Sequence, residues 1–204
     1  MHDSIFVALY KTASSKPKNE TLEDYIVDCF VLMINWMLID KQNKLKAVEL
    51  LNYLCFKEIY KDIFTLKDDI QVNSHLNIKE SGNAIYTDIL VRSKSASKYI
   101  CVEAKWDSPI KRDQLNDYIA AMKFHTQYHH HSLVSLSKKL KADYGPADLH
   151  RTWEDIYNKI NDLYSRGNKP MNGYLTTKYL IESFLAFLKY KDPQIDRFTE
   201  PYSL

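Results

Sequence analysis

Cysteine, glycine, proline and long apolar runs are all scarce in this sequence, and each scarcity excludes something. Only 3 cysteines occur in 204 residues, Cys29, Cys55 and Cys101, far apart and each inside an apolar pattern. An odd count without paired spacing argues against a disulfide framework or a cysteine zinc site and predicts small buried hydrophobes. Glycine (4) and proline (6) are few, and no repeat or low-complexity segment interrupts the chain, as in ordinary globular proteins. The longest apolar run, Ile26 to Ile39, is broken by Asp28 and Asn35. It is too short and too interrupted to span a bilayer. No charged-then-apolar leader is visible at the N-terminus, which predicts a cytoplasmic protein with no membrane partner. Net charge is only +2, which neither demands nor excludes nucleic acid, because phosphate binding needs a local patch.

What is present suits one sizeable core. Residues 1–20 read as an N-terminal arm, polar from Thr12 to Asn19, and residues 21–204 as a single domain. Thr21 with Asp24 makes an approximate capping box. From Leu22 to Asp40 apolar residues fall on nearly every face, which predicts a central buried helix. A second helix is expected from about Lys44 to Phe64, with Leu50, Leu51, Leu54 and Ile59 in its apolar set. The period then changes. Asp69 to His75 alternates like a strand, and a turn follows around Glu80, Ser81, Gly82 and Asn83. Tyr86 to Arg92 and Tyr99 to Trp106 are two further strands joined by the polar loop from Ser93 to Lys98. Leu115, Tyr118, Ile119 and Met122 repeat at helical spacing within a helix from about Lys111 to Phe124. A strand from His131 to Ser137 and helices from Trp153 to Tyr164 and Thr177 to Tyr190 complete a mixed α/β domain.

One hairpin carries the chemistry. Centring its loop between Ser95 and Ala96 places Arg92 opposite Tyr99, Leu90 opposite Cys101 and Asp88 opposite Glu103. Directly opposed side chains lie about 4.5–5.5 Å apart at Cβ. Two carboxylates that close repel unless a positive group sits between them. A divalent cation with oxygen ligands is a natural occupant, and Mg²⁺ takes one or two carboxylates plus waters and phosphate oxygens. Lys105 projects from the same face as Glu103, about 6.6 Å along the strand. Ile89, Val91, Ile100 and Val102 line the opposite, apolar face. The plainer alternative is a solvated strand face with a cross-strand salt bridge, since charged residues are mostly exposed.

Asp88 followed, after a spacer, by Glu103-Ala104-Lys105 resembles the D-x(n)-E-x-K signature of the PD-(D/E)XK nuclease superfamily. The resemblance extends to Glu23-Asp-Tyr-Ile-Val-Asp28, similar to the acidic first helix of one bacterial branch. It extends also to Gln114-Leu-Asn-Asp-Tyr118, similar to the Gln-x-x-x-Tyr motif of RecB-type nucleases, and more loosely to Trp153-Glu-Asp-Ile. Thr87 stands where the family has a proline before its first acid. The resemblance implies a restriction-endonuclease-like core, a mixed central sheet flanked by helices. It implies a Mg²⁺-dependent deoxyribonuclease, with Mn²⁺ as substitute, acting on DNA phosphodiesters, and a role in defence against foreign DNA. Asp88, Glu103 and the Ala104 carbonyl would hold the metal. Lys105 would position the attacking water, with Glu23 and Gln114 in support and Asp28 or Glu20 as substitutes for Glu23. A homodimer would suit cleavage of both strands.

Tyr118, Lys111, Arg112 and Lys98 are the expected substrate-binding residues, part of a basic rim with Arg92 and Lys94 that Lys138, Lys139 and Lys141 could extend. His129, His130 and His131, with His125, do not read as a metal site, because consecutive strand residues point to opposite faces. The rival to an enzyme is a catalytically inactive nuclease-like fold that binds nucleic acid or a protein.

Overall fold

The computed structural model describes residues 5–7, 22–57, 63–79, 82–139, 145–165 and 175–195. Five strands, β1 (Gln71–Asn77), β2 (Tyr86–Ser93), β3 (Lys98–Ala104), β4 (His130–Ser137) and β5 (Leu149–Thr152), form one sheet in that spatial order. β1, β2 and β3 are antiparallel neighbours, whereas β4 and β5 run parallel to β3. A parallel neighbour requires a crossover, and α3 (Arg112–Met122) supplies it between β3 and β4. The remaining helices are α1 (Leu22–Ile39), α2 (Lys44–Cys55), α4 (Trp153–Ser165) and α5 (Leu175–Lys191).

Strand alternation sorts the side chains into two cores. Ile89, Val91, Ile100, Val102, Val134 and Leu136 pack with α1, α2, α4 and α5. Leu90, Tyr99, Cys101 and Leu133 pack under α3, against Leu115, Tyr118, Ala121 and Met122. Both sheet faces are therefore covered, with the β2–β3 face opposite Ile89, Val91, Ile100 and Val102 packed under α3 rather than solvated. α3 is amphipathic enough to bury a stripe, and burying it requires that second face.

Other boundaries differ for identifiable reasons. α1 is not buried all round: Leu32 and Ile39 are exposed at 44% and 68%. α2 ends at Cys55, well before Phe64, because the Asn52 side chain takes both the Phe64 N–H and the Phe64 carbonyl and folds the chain back. Ile59 lies outside the described residues, as do Glu80 and Ser81 of the expected turn; Gly82 there has φ +84°. β1 starts two residues later than expected, at Gln71. β5, only four residues long, was not anticipated, since so short a segment has no readable period. Of the N-terminal arm only residues 5–7 are described, and there Phe6 and Val7 are buried in the core, with Tyr25 donating to the Phe6 carbonyl. All three cysteines are free and buried, and burial pushes the Cys29 and Cys101 thiols up to about 12. Among the described residues no helix is long and apolar enough to cross a membrane.

Candidate active site at the end of the β2–β3 hairpin

The hairpin keeps the anticipated register: Arg92 faces Tyr99, Leu90 faces Cys101, and the ladder ends at Ile89 and Val102. One step further, Asp88 departs from the ladder. Its Oδ2 accepts the Ala104 N–H at 2.7 Å, so the carboxylate itself caps the strand end. The Thr87 hydroxyl completes the irregularity, lying 3.0 Å from the Ile89 carbonyl and 3.3 Å from that of Val102. Its neighbour in β1 is distorted too. His75, flanked by the pairs Ser74–Ile89 and Leu76–Thr87, has φ +49°. A non-glycine residue there stores of order 1–3 kcal/mol and marks functional sites more often than others. The imidazole lies 3.6 Å from Asp28 and 4.0 Å from Asp24 on α1, while Asp28 also accepts from the Ser74 hydroxyl at 2.6 Å.

Three carboxylates converge on one ammonium. Lys105 Nζ lies 2.6 Å from Glu103 Oε1, 3.5 Å from Glu23 Oε1 and 3.7 Å from Asp88 Oδ2. The Lys105 N–H donates to the Leu136 carbonyl, which extends the β3–β4 pairing and fixes where the side chain starts. Glu103 is fully buried, and Lys105, Asp88 and Glu23 keep side-chain exposures of 13%, 18% and 19%. This excludes the solvated strand face as the description of these residues. Glu23 reaches in from the first turn of α1. Its Oε2 accepts the Trp106 N–H at 3.0 Å and the Ser108 hydroxyl at 2.5 Å.

α3 closes the site from above. Tyr118 Oη lies 2.6 Å from Glu103 Oε2 and 2.7 Å from the Tyr86 carbonyl, and its single proton serves one of them. The charge-assisted bond to Glu103 is the stronger. Gln114 Nε2, with two protons, donates to Glu103 Oε2 and to Tyr118 Oη, both at 3.1 Å. Tyr118 is 1% exposed, so it faces Glu103 and not open solvent. Removing its hydroxyl in Tyr118→Phe is expected to destabilise the fold by about 1–3 kcal/mol, the cost of stripping a donor from a buried charged acceptor. Urea unfolding measures this directly, and unchanged stability would show that the bond contributes nothing.

Burial is the largest cause that raises the Asp88 carboxyl, followed by the Glu103 charge, against Lys105 and the Ala104 N–H; together they place it at about 7. For Lys105, burial lowers the pKa, but Asp88, Glu103 and Glu23 outweigh it and hold the ammonium charged well above its ordinary range. Burial first, then the charges of Glu103 and Asp88, push the Tyr118 phenol up, so it remains a donor.

The structure thus brings Glu23, Asp88, Glu103, Lys105, Gln114 and Tyr118 together. Lys111 and Arg112 are exposed at the start of α3, within a turn of Gln114. Lys98 is not brought there. It begins β3, about 17 Å from Glu103 at strand rise, and is 1% exposed, with Nζ donating to the Ala96 carbonyl. Arg92, bonded to Gln71, and Lys94 share that far end. The expected rim is therefore split: Lys105, Lys111 and Arg112 stand near the acids, Lys138 lies on the Trp106 side with Nζ 5.2 Å from that ring centre, and Arg92, Lys94 and Lys98 share the far end. Glu20 and Lys141 lie outside the described residues. His131 bonds the His125 carbonyl, and His125 bonds Tyr99 and Ile78, a structural network. Ser108 was missed, and no spacing or type in the sequence announces a serine that holds Glu23.

For a hard cation, Asp88 and Glu103 are the available carboxylates. Glu103 Oε1 is buried and its partner is the Lys105 ammonium at 2.6 Å, so a cation held there would share this oxygen with Lys105. Among the described residues no three His, Cys, Asp or Glu side chains are spaced to enclose an ion, so water and substrate oxygens would complete any coordination, as is usual for Mg²⁺. Compared with family models, curated proteins and solved structures, the chain matches none.

Proposed function

We propose that this chain is a metal-dependent nuclease that hydrolyses DNA phosphodiester bonds, and that its sheet is the restriction-endonuclease-like core of a PD-(D/E)XK enzyme. The observation that carries the reading is the convergence of Glu23, Asp88 and Glu103 on the Lys105 ammonium at the strand ends. Burying three acids around one lysine is costly for stability alone, since such clusters are often no better than apolar packing. A site that must gather positive charge against a phosphate accounts for it.

Asp88 and Glu103, with the Ala104 carbonyl, are the residues that would hold Mg²⁺ or Mn²⁺. Such an ion supplies a bound water of lowered pKa and neutralises charge on the phosphate. The protein's own groups do the rest. Lys105, kept charged by its acids, offers N–H donors where negative charge develops on the phosphate. Gln114 and Tyr118 lock one Glu103 oxygen and leave the other facing the ammonium. Glu23, held by the Trp106 N–H and Ser108, ties α1 to the strand end and so fixes the depth at which Lys105 projects. Lys111 and Arg112 stand where a phosphate backbone would pass.

The deciding experiment is incubation of plasmid, linear and single-stranded DNA, with RNA alongside, in Mg²⁺ or Mn²⁺ and in chelator. Metal-dependent DNA cleavage supports the proposal. Binding without cleavage in either metal would favour the inactive, binding-module alternative. The split rim gives a second prediction. Lys111→Ala/Arg112→Ala is expected to reduce the slope of log affinity against log salt by about two, roughly one for each lost phosphate contact. Lys98→Ala should leave that slope unchanged; an equal effect of all three would contradict the placement.

A further inference from the structure

A cleft of about 370 Å³ opens beside the acid cluster, lined by Trp106, Lys138, Lys139, Glu154, Asp192 and Gln194. The two share a residue. The Trp106 N–H is held by Glu23, while the Trp106 indole lines the cleft. The hydrogen bond from the Lys105 N–H to the Leu136 carbonyl sets Trp106 alongside the end of β4, from which Lys138 follows directly. The cleft therefore lies at the carboxyl ends of the parallel strands β3, β4 and β5, the customary ligand position in open α/β sheets.

We infer that this cleft receives the unpaired base next to the scissile phosphate, and that it favours bases carrying an exocyclic amino group over thymine or uracil. The inference rests on the nuclease reading above and adds the substrate's strandedness and a base preference. Size is the first argument. The volume is near the lower end for small-molecule sites and suits one base with its sugar, whereas a duplex cannot enter. Polarity is the second. Glu154 and Asp192 line it with carboxylates, which when ionised accept only and can take both protons of an exocyclic amino group, whereas thymine and uracil offer a single ring N–H flanked by two carbonyls that the acids repel. The third is charge: burial and then the neighbouring carboxylates of Asp155 and Asp192 disfavour a charged Glu154, and an amino donor bonded to its oxygens would offset that cost. One cation stands among these groups: Lys138 Nζ pairs with Asp192 at 3.6 Å and with Asp107 at 3.9 Å, and lies 5.2 Å from the Trp106 ring centre. From that position it can meet a phosphate oxygen of the same nucleotide.

The test uses the full chain, Mg²⁺ or Mn²⁺, and single-stranded thymidine oligonucleotides carrying one interior adenine, cytosine or guanine. Cleavage within a nucleotide of the inserted base should exceed cleavage elsewhere by about fivefold or more, the discrimination one base contact gives. In Glu154→Gln/Asp192→Asn that ratio should fall toward one. Asn at 192 retains the oxygen that accepts the Gln194 N–H, so the pair of changes tests charge, and a thermal melt checks that the variant is folded. Even cleavage along the strand, an unchanged ratio in the double variant, or cutting of duplex alone would overturn this inference and leave the nuclease reading intact. No cleavage of any DNA or RNA would overturn both.

Discussion

Lys105→Met is expected to lower metal-dependent DNA cleavage by at least about 10²–10³-fold, the usual loss when one charge-stabilising donor is removed from a reaction centre. The same substitution should destabilise the fold near neutral pH by about 3–5 kcal/mol, because it leaves buried acids without their cation. Both effects follow from the ammonium standing 2.6 Å from Glu103 and within 3.7 Å of Glu23 and Asp88. They are separable. Adding Glu103→Gln removes the fully buried charge, so the double variant should recover much of the stability but none of the activity. Denaturant unfolding of the single and double variants at one pH measures the coupling. A single variant as stable as the parent would show that the cluster is not held by its lysine.

Asp88→Asn should have opposite effects on activity and stability. Cleavage should fall by about 10²–10³-fold, as for loss of a single catalytic contact, while the metal-free protein should become more stable above neutrality. The sign follows from linkage. Burial, then Glu103, raises the Asp88 carboxyl from 3.8 to about 7, so its protonated form is favoured in the folded state. That contribution is fully present below pH 3.8 and is lost as pH rises through 7. A tenfold gain in proton affinity on folding corresponds to about 1.4 kcal/mol. For a carboxyl that shares its field with Glu103, Glu23, Lys105 and the Tyr118 hydroxyl, the gain at pH 8 is of order 2–4 kcal/mol. Asn still offers an oxygen to the Ala104 N–H. Melting temperatures in chelator at pH 4 and pH 8 decide the matter: a gain at both, or at neither, contradicts the raised pKa.

Much of the site was legible because its parts are local or periodic. Strand alternation and a loop centre put Asp88, Glu103 and Lys105 on one face, and the resemblance singled them out. The ladder from Ile89 to Ser93 keeps that register, while Asp88 stands just outside it on the Ala104 N–H. Gln114 and Tyr118 are one helical turn apart, and that spacing puts both on Glu103 Oε2. Glu23 was harder, because its partners Trp106 and Ser108 lie 83 and 85 positions along the chain. Lys98 misled for the same reason. Its charge suggests a rim, but only the strand's direction shows that it stands at the far end of β3.

By itself the sequence determined the element types, the hairpin register and which acids could meet a lysine, since these depend on side-chain alternation and turn length within a few residues. The tertiary structure alone decided that α3 would cover those acids and bury Glu103. It also decided that Asp88 would cap Ala104 outside the ladder, that Glu23 would reach across from α1, and that β5 would exist as a partner for β4. Burial and long-range hydrogen bonds arise only when distant segments pack against one another, and no local period encodes that meeting.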